Sequence, residues 1–365
     1  MRSVAIIGTR GYPSYYGGFE TAVRKLGPYL ADRGWRVTVY GRRGATVGDC
    51  GEADSRVEAR NTFGVETQNL STLSHGLTAT LDAAIRRADV ALVFNVANGY
   101  FLPVLKARGI PALVNVDGIE WERAKWSPLA KRVFRLGAKS AARWASVLVF
   151  DSHEIERYWS AQFCAKGIFI PYGGDPAIHS PVPSGLRHRG YVLVVARFVP
   201  ENSIPEFFDA VPAISRDYPV VIVGSSGYGG ALDEAARRLA ARHGSVRWLG
   251  HVNDDELLLS LWQHAGVYFH GHSVGGTNPA LVQAMAAGAP IVARDTVFNR
   301  EVLGPNGTFA APTSDAIAST ILALMKRSET LEELSRSNLR RAEQYYNWDQ
   351  VCYAYEAALS HLLEC

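Results

Sequence analysis

Short apolar runs alternate with helical patterns along almost the whole chain. Residues 3–8 form an apolar run ending in glycine, and 19–32 then place Ala22, Val23, Leu26 and Leu30 at helical spacing. A second apolar run, 36–40, follows Gly34, whereas 44–67 is polar and weakly patterned. Residues 80–87 and 152–163 read as helices, and 90–94, 112–116, 147–150 and 168–170 as strands. The segment 171–190 holds four prolines and four glycines with little periodicity, which predicts a linker. The pattern then restarts, with strands expected at 191–195, 220–224, 246–249, 266–270 and 290–293 and helices at 205–213, 232–243, 254–263 and 279–287. Two more helices, 317–326 and 331–345, precede a last amphipathic one at 348–363. Strands alternating with helices predict parallel sheets covered on both faces. The expected plan is α/β: a first half at 1–171, a linker at 172–189, a second half at 190–346, and a terminal helix at 347–365 packing back on the first half.

Bulk numbers fit that plan. A chain of 365 residues suits two domains better than one core, and 47% apolar with 20% charged residues marks a globular protein. A net charge of +3 does not by itself imply nucleic acid. The four cysteines, at 50, 164, 352 and 365, lack Cys-x-x-Cys spacing, which argues for a reducing compartment and against a disulfide framework or zinc site. The N-terminus reads as a first strand and not a signal peptide, and no apolar window reaches the length of a membrane span. A cytoplasmic protein is expected.

Candidate chemistry gathers at the ends of the predicted strands. Residues 266–293 read as strand, glycine-rich loop, helix and strand. Gly275 and Gly276 let backbone approach a ligand, Asn278 is a candidate N-cap, and Pro279 suits the first helical turn. An anion or nucleotide site is one reading, and an ordinary βαβ turn is the other. The first loop carries Gly8, Gly11, Gly17 and Gly18, with stacking surface from Tyr15, Tyr16 and Phe19, but neither dinucleotide nor Walker spacing. Gly41 is followed by Arg42 and Arg43 where a dinucleotide enzyme usually has an acid, which leaves an NADP enzyme as a minor alternative. Asp117 and Glu120 follow a buried strand, where an acid orients a sugar hydroxyl or acts as a base; Asp117 reads equally as a turn cap. Arg197 follows the first strand of the second half and is suited to fork onto a phosphate. Arg123, Lys125, Lys131, Arg132, Arg135, Lys139 and Arg143 carry positive charge with no acid from 123 to 143 and with interleaved Trp126, Leu129, Val133, Phe134 and Trp144. That mixture suits a helix lying on anionic lipid, or a solvated basic face; no nucleic-acid module is recognisable.

These motifs carry a resemblance. Two Rossmann-like halves with a glycine-rich loop in each, and a helix after Tyr345-Tyr-Asn-Trp348, resemble the GT-B glycosyltransferases of the retaining family 4. The opening Ile7-Gly-Thr-Arg-Gly-Tyr-Pro-Ser-Tyr-Tyr-Gly-Gly-Phe-Glu-Thr21, Asp117-Gly-Ile-Glu-Trp-Glu-Arg-Ala-Lys-Trp126, Arg197-Phe-Val-Pro-Glu-Asn202 and His272-Ser-Val-Gly-Gly-Thr-Asn-Pro279 look like its rhamnosyltransferase-like bacterial branch, which builds capsule, O-antigen and other surface polysaccharides. The resemblance implies a cleft between two domains, with the acceptor on the first half and a nucleotide sugar, dTDP-L-rhamnose above all, on the second. It implies that Gly17 and Gly18 approach the donor phosphates, that Arg197 holds the diphosphate, and that Gly276, Thr277 and Asn278 line the donor site. Gly275 and Gln283 stand where the wider family has the two glutamates of its E-x7-E pair, the second of which binds ribose; Asn202 stands where many members have lysine. Asp117 is the nearest candidate for the family's histidine of the first half.

The expected protein is a glycosyltransferase that needs neither metal nor cofactor. It would move a deoxyhexose from a nucleoside diphosphate to a glycan or lipid-linked acceptor with retention. Asp117, Glu120 and Arg197 are the candidate catalytic residues. Gly17, Gly18, Arg197, Gly275, Gly276, Thr277, Asn278 and Gln283 are the candidate donor-binding residues, with membrane contact through the basic stretch. A nucleotide-sugar-binding protein without catalysis and a UDP- or GDP-sugar enzyme are the alternatives.

Overall fold

The computed structural model describes residues 1–14, 17–42, 53–65, 71–123, 126–176, 179–227 and 229–364. Tyr15, Tyr16, Arg43, Lys125, Cys50 and Cys365, named above, lie outside them, as does much of 44–67. The chain divides into two compact units, Met1–Tyr172 with Trp348–Cys365, and Gly173–Asn347.

The first unit runs β1 (Ser3–Ile7), α1 (Gly18–Asp32), β2 (Arg36–Arg42), β3 (Val57–Thr62), α2 (Ser71–Arg86), β4 (Val90–Phe94), α3 (Leu102–Ala107), β5 (Ala112–Asn115), α4 (Pro128–Trp144), β6 (Val147–Phe150), α5 (His153–Phe163) and β7 (Gly167–Phe169). The sheet is parallel in the order β3-β2-β1-β4-β5-β6-β7. Every residue of β1 and β4 is buried, because helices cover both faces of the sheet, and this is why those strands read as unbroken apolar runs. The terminal helix, Trp348–Glu364, belongs to this unit. It turns Trp348, Val351, Cys352, Tyr355 and Leu359 inward at helical spacing, into the core that holds Leu26, Leu30 and Phe94. Val351 and Leu359 each contribute about 1.5–3 kcal/mol by leaving water. β3 lies in the weakly patterned region and was not foreseen. It is an edge strand with only Val57 fully buried, so its alternation is faint.

The second unit runs β8 (Val192–Val195), α6 (Ile204–Ile214), β9 (Val220–Val223), α7 (Ala231–Arg242), β10 (Val246–Gly250), α8 (Asp255–His264), β11 (Val267–His270), α9 (Pro279–Ala286), β12 (Ile291–Arg294), α10 (Val297–Leu303), β13 (Thr308–Ala310), α11 (Ser314–Met325) and α12 (Ser328–Tyr345). Its sheet is parallel in the order β10-β9-β8-β11-β12-β13. The period of two divides two cores between the faces of the sheet. Val192 and Val194 pack with Phe207 and Phe269 on one face, and Tyr191 and Leu193 with Tyr268 and Leu281 on the other.

Residues 173–189, read from the sequence as a linker, form part of the second unit. Ser180 N–H donates to Gln263 Oε1 at 2.8 Å, and the Ser260 hydroxyl donates to Pro181 O at 2.6 Å. The Arg189 guanidinium donates to the carbonyls of Gln263, Ala265 and Gly288 and to the Ser335 hydroxyl. Those carbonyls lie at the C-terminal ends of α8 and α9, where helices leave acceptors unfilled. The segment is held by polar bonds to helix ends, and such bonds leave no periodicity in a sequence. Among the described residues no helix is long and apolar enough to cross a membrane.

Candidate functional site

In the second unit β8 and β11 lie side by side, and the chain leaves them in opposite directions, to β9 and to β12. Such a switch point, at the carboxyl ends of the strands, is where open α/β sheets bind ligands. The loops that follow the two strands are tied together there. Ser273 donates to Glu201 O through its N–H at 2.9 Å and its hydroxyl at 2.7 Å, and the Ser203 hydroxyl donates to Gly271 O at 2.9 Å. Arg294 Nη1 donates to Ser203 Oγ, and Asn299 Nδ2 fixes His272 O at 3.0 Å. Sequence stretches some seventy residues apart thus become one rigid rim.

Arg197 stands on that rim. Asn202 is buried and donates from Nδ2 to Arg197 O at 3.0 Å, so it pins the backbone of the arginine. The Arg197 side chain is exposed and makes no hydrogen bond or ion pair among the described residues. It is a fork of donors on a fixed base. Gly275 has φ of +108°, in the region that favours glycine, and a Cβ built there would meet nothing within 4 Å. The position where the wider family has a glutamate is open space.

Asn278 caps α9, its Oδ1 accepting the Ala280 N–H at 3.0 Å, with Pro279 in the first turn. Its side chain is therefore turned into the helix. Thr277 is buried at 3% exposure, beside Gly276, which is also buried. Gln283 differs from expectation. Its Oε1 accepts the Asp175 N–H at 3.0 Å and its Nε2 donates to Asp175 O at 3.1 Å. Both ends of the amide are committed to one backbone residue, an arrangement a glutamate carboxylate cannot copy because it lacks the donor.

Beneath the rim, the His270 ring is fully buried and stacks on His272 with centroids 4.4 Å apart and planes at 11°. Its Nδ1 lies 3.0 Å from the Tyr268 hydroxyl. Burial, with His272 alongside, holds the His270 pKa well below the ordinary imidazole range, so the ring is neutral.

The first unit has the same switch point, between β1 and β4. Gly8 follows β1 at φ +100°, and a Cβ there would come within 2.1 Å of Phe94 O, at the end of β4. The loop is fastened by Glu20, whose Oε1 accepts the Arg10 N–H at 3.0 Å. Gly17 is the N-cap of α1 with an extended backbone, and its carbonyl accepts from Thr21 N–H at 3.0 Å; Gly18 opens the helix.

Asp117 lies just beyond β5, partly exposed, in the left-handed region at φ +63°. Its N–H donates to Asn115 Oδ1 at 2.9 Å, and Asn115 Nδ2 donates to the Tyr355 hydroxyl at 2.7 Å. Tyr172 is buried nearby. Burial raises its pKa well above the ordinary phenol range, and the negative charges of Asp117 and Asp151 add to the rise. Sequence reasoning passed over Asp151, although it follows the buried run of β6 as Asp117 follows that of β5; it is 3% exposed. Asn115 and Tyr355 carried no signal of their own, since an amide ending a strand and a tyrosine on an inward helix face are ordinary core features.

Glu120 stands apart from Asp117 in its surroundings. At 4% exposure, its Oε1 pairs with Arg123 Nε at 2.7 Å and its Oε2 accepts the Trp126 indole N–H at 2.8 Å. A carboxylate held this way joins Glu120 to Arg123 and to Trp126. Arg123 is accordingly an internal partner and not part of an outward charge. The basic face that remains is on α4, where Gly137, Ala138 and Ala141 turn inward. Arg132, Arg135, Lys139 and Arg143 turn outward with Leu129 and Leu136, which are 72% and 55% exposed. Among the described residues no group of three or more His, Cys, Asp or Glu side chains is placed to hold a metal ion.

Residues 17–173 match the family described as Glycosyl transferase 4-like domain, and residues 189–327 match Glycosyl transferases group 1. The O-antigen chain mannosyltransferase B of Escherichia coli is 27% identical over 215 residues, 56% of this chain and 55% of that protein. A phosphatidyl-myo-inositol mannosyltransferase of Mycobacterium leprae is 31% identical over 211 residues, 54% of each. The chain spans about half the length of these curated relatives. Among solved structures, a sucrose-phosphate synthase from Thermosynechococcus elongatus superposes with a TM-score of 0.80 at 19% identity over 100% of both chains. HepE of Anabaena in complex with UDP superposes at 0.75, with 16% identity, over 99% of this chain and 100% of that one. At such identities the likeness is one of fold.

Proposed function

We propose that this chain, a member of the family 4 glycosyltransferases with the GT-B fold, transfers a sugar from a nucleoside diphosphate to a glycan or lipid-linked acceptor with retention at the anomeric carbon. The observation that carries the reading is the rim of the second unit. Exposed Arg197 and the open turn at Gly275 are fixed together at a sheet's switch point, beside the N-terminus of α9. A guanidinium and a helix N-terminus both favour a diphosphate, and both stabilise it as the charge of a leaving group grows. The bond from the anomeric carbon to the diphosphate breaks, the acceptor oxygen bonds that carbon, and the acceptor's proton passes to the departing phosphate. Asp117 orients the acceptor from the first unit. Neither a metal nor a cofactor is required.

The sugar proposed is L-rhamnose, carried by dTDP, and the product a surface polysaccharide such as capsule or O-antigen. A 6-deoxy sugar presents one hydroxyl fewer, which suits a site with open space in place of a carboxylate at Gly275. A mannosyl donor is the second reading, because the curated relatives are named for mannosyl transfer. The α4 face, with two leucines among four outward cations, supports a peripheral place on the anionic inner face of the cell membrane, on the cytoplasmic side. Thermal unfolding with dTDP-L-rhamnose, GDP-mannose, UDP-glucose and NADP tests the reading. Stabilisation by a nucleotide sugar supports it, with dTDP-L-rhamnose giving the largest shift. Stabilisation by NADP alone would overturn it.

A further inference from the structure

Asp117 sits in the left-handed region at φ +63°, a conformation that aspartate adopts more readily than most residues with a Cβ and that its neighbours hold in place. One of those neighbours reaches it through the terminal helix. An N–H can only donate, so the end of Asn115 facing Asp117 is its carbonyl oxygen, and the amide nitrogen must face Tyr355. The Tyr355 hydroxyl is then the acceptor, and its own proton is left for another group. Asn115 and Tyr355 are 2% and 3% exposed, so the bond between them is shielded from water. The Tyr355 ring packs against Phe94 with centroids 6.5 Å apart, which fixes where the hydroxyl stands.

We propose that Tyr355 is a positioning residue for Asp117: acting through Asn115, it holds the aspartate in the left-handed turn from which its carboxylate meets the acceptor. The terminal helix is then part of the reaction machinery and not only a cover for the core. This rests on the reading of Asp117 given above.

The test is a double-mutant cycle on nucleoside diphosphate release from the best stabilising donor of that panel, with an oligosaccharide acceptor. Tyr355→Phe keeps the ring and removes only the hydroxyl. It is expected to lower kcat by about tenfold to a hundredfold, the scale of a misplaced group, with donor KM unchanged within about twofold. In an Asp117→Asn background the same change is expected to cost less than about twofold more, because the group it positions is already gone. Asn115→Ser, which still accepts from the Asp117 N–H but cannot reach Tyr355, is expected to lose as much kcat as Tyr355→Phe, and it serves if the latter fails to fold. Penalties that multiply, or a Tyr355→Phe enzyme with normal kcat, overturn the positioning role while Asp117 stands. Wild-type kcat in Asp117→Asn alone overturns the reading of Asp117, and the inference falls with it by a separate result.

Discussion

Gln283→Glu introduces the residue that the resemblance implies for the wider family, and the structure predicts that it harms the protein. The amide accepts the Asp175 N–H at 3.0 Å and donates to Asp175 O at 3.1 Å. The first bond survives in glutamate. The second is replaced by a carboxylate oxygen against a carbonyl oxygen. Losing one net hydrogen bond and leaving two acceptors in contact costs about 1–3 kcal/mol. For a unit of this size, about 2 kcal/mol lowers Tm by roughly 4–8 °C. The assay is thermal unfolding at neutral pH, repeated at falling pH, with calorimetric donor titration alongside. A protonated glutamate can donate again, so the deficit should shrink as pH drops through the new carboxyl's titration. Donor affinity should not improve. A variant as stable as the parent that binds donor more tightly would refute the reasoning, since it would mean that position 283 faces ribose and not Asp175.

Arg197→Ala should weaken binding of the donor's nucleoside diphosphate by about tenfold to a hundredfold, the worth of a charge-assisted hydrogen bond, and unchanged calorimetric affinity would remove it from the site. Replacing Arg132, Arg135, Lys139 and Arg143 with Gln should abolish flotation with anionic liposomes, at about 1 kcal/mol per charge, while neutral liposomes show no difference; equal flotation of the variant would leave α4 a solvated face. The second unit should lose stability in mild acid. Burial lowers the His188 pKa, with Arg189 and His264 adding to the drop and Glu332 opposing it. A base whose folded pKa is depressed contributes its full stability above the unfolded histidine value and loses it as pH falls below that value. His188→Gln should flatten this slope in denaturant titrations between neutral and mildly acid pH, and an unaltered slope would assign the effect elsewhere.

The central strands of both sheets were legible because fully buried parallel strands such as β4 and β9 are unbroken apolar runs between helix signals, whereas the edge strand β13 was not foreseen. β3 escaped because an edge strand buries one face, and 173–189 escaped because its order comes from polar bonds to helix ends rather than from a pattern. Position in the pattern put Asp117, Arg197 and Gly275 in the loops after strands, and the structure has them in the loops after β5, β8 and β11. What position could not give was the partner of each side chain. Glu120 is closed off by Arg123 and Trp126, and Asn278 turns back into α9. Gln283 is matched to a backbone residue more than a hundred positions away. Asn115 and Tyr355 lie 240 positions apart, and only the fold makes them neighbours.

The proposed activity is transfer of a sugar from a nucleoside diphosphate with retention and without metal. The most direct measurement is proton NMR of the protein with dTDP-L-rhamnose, GDP-mannose or UDP-glucose and an oligosaccharide acceptor in EDTA. The prediction is a new glycosidic anomeric signal in the donor's own configuration, growing in step with released nucleoside diphosphate. An inverted product, or transfer that EDTA stops and Mg²⁺ restores, would contradict it.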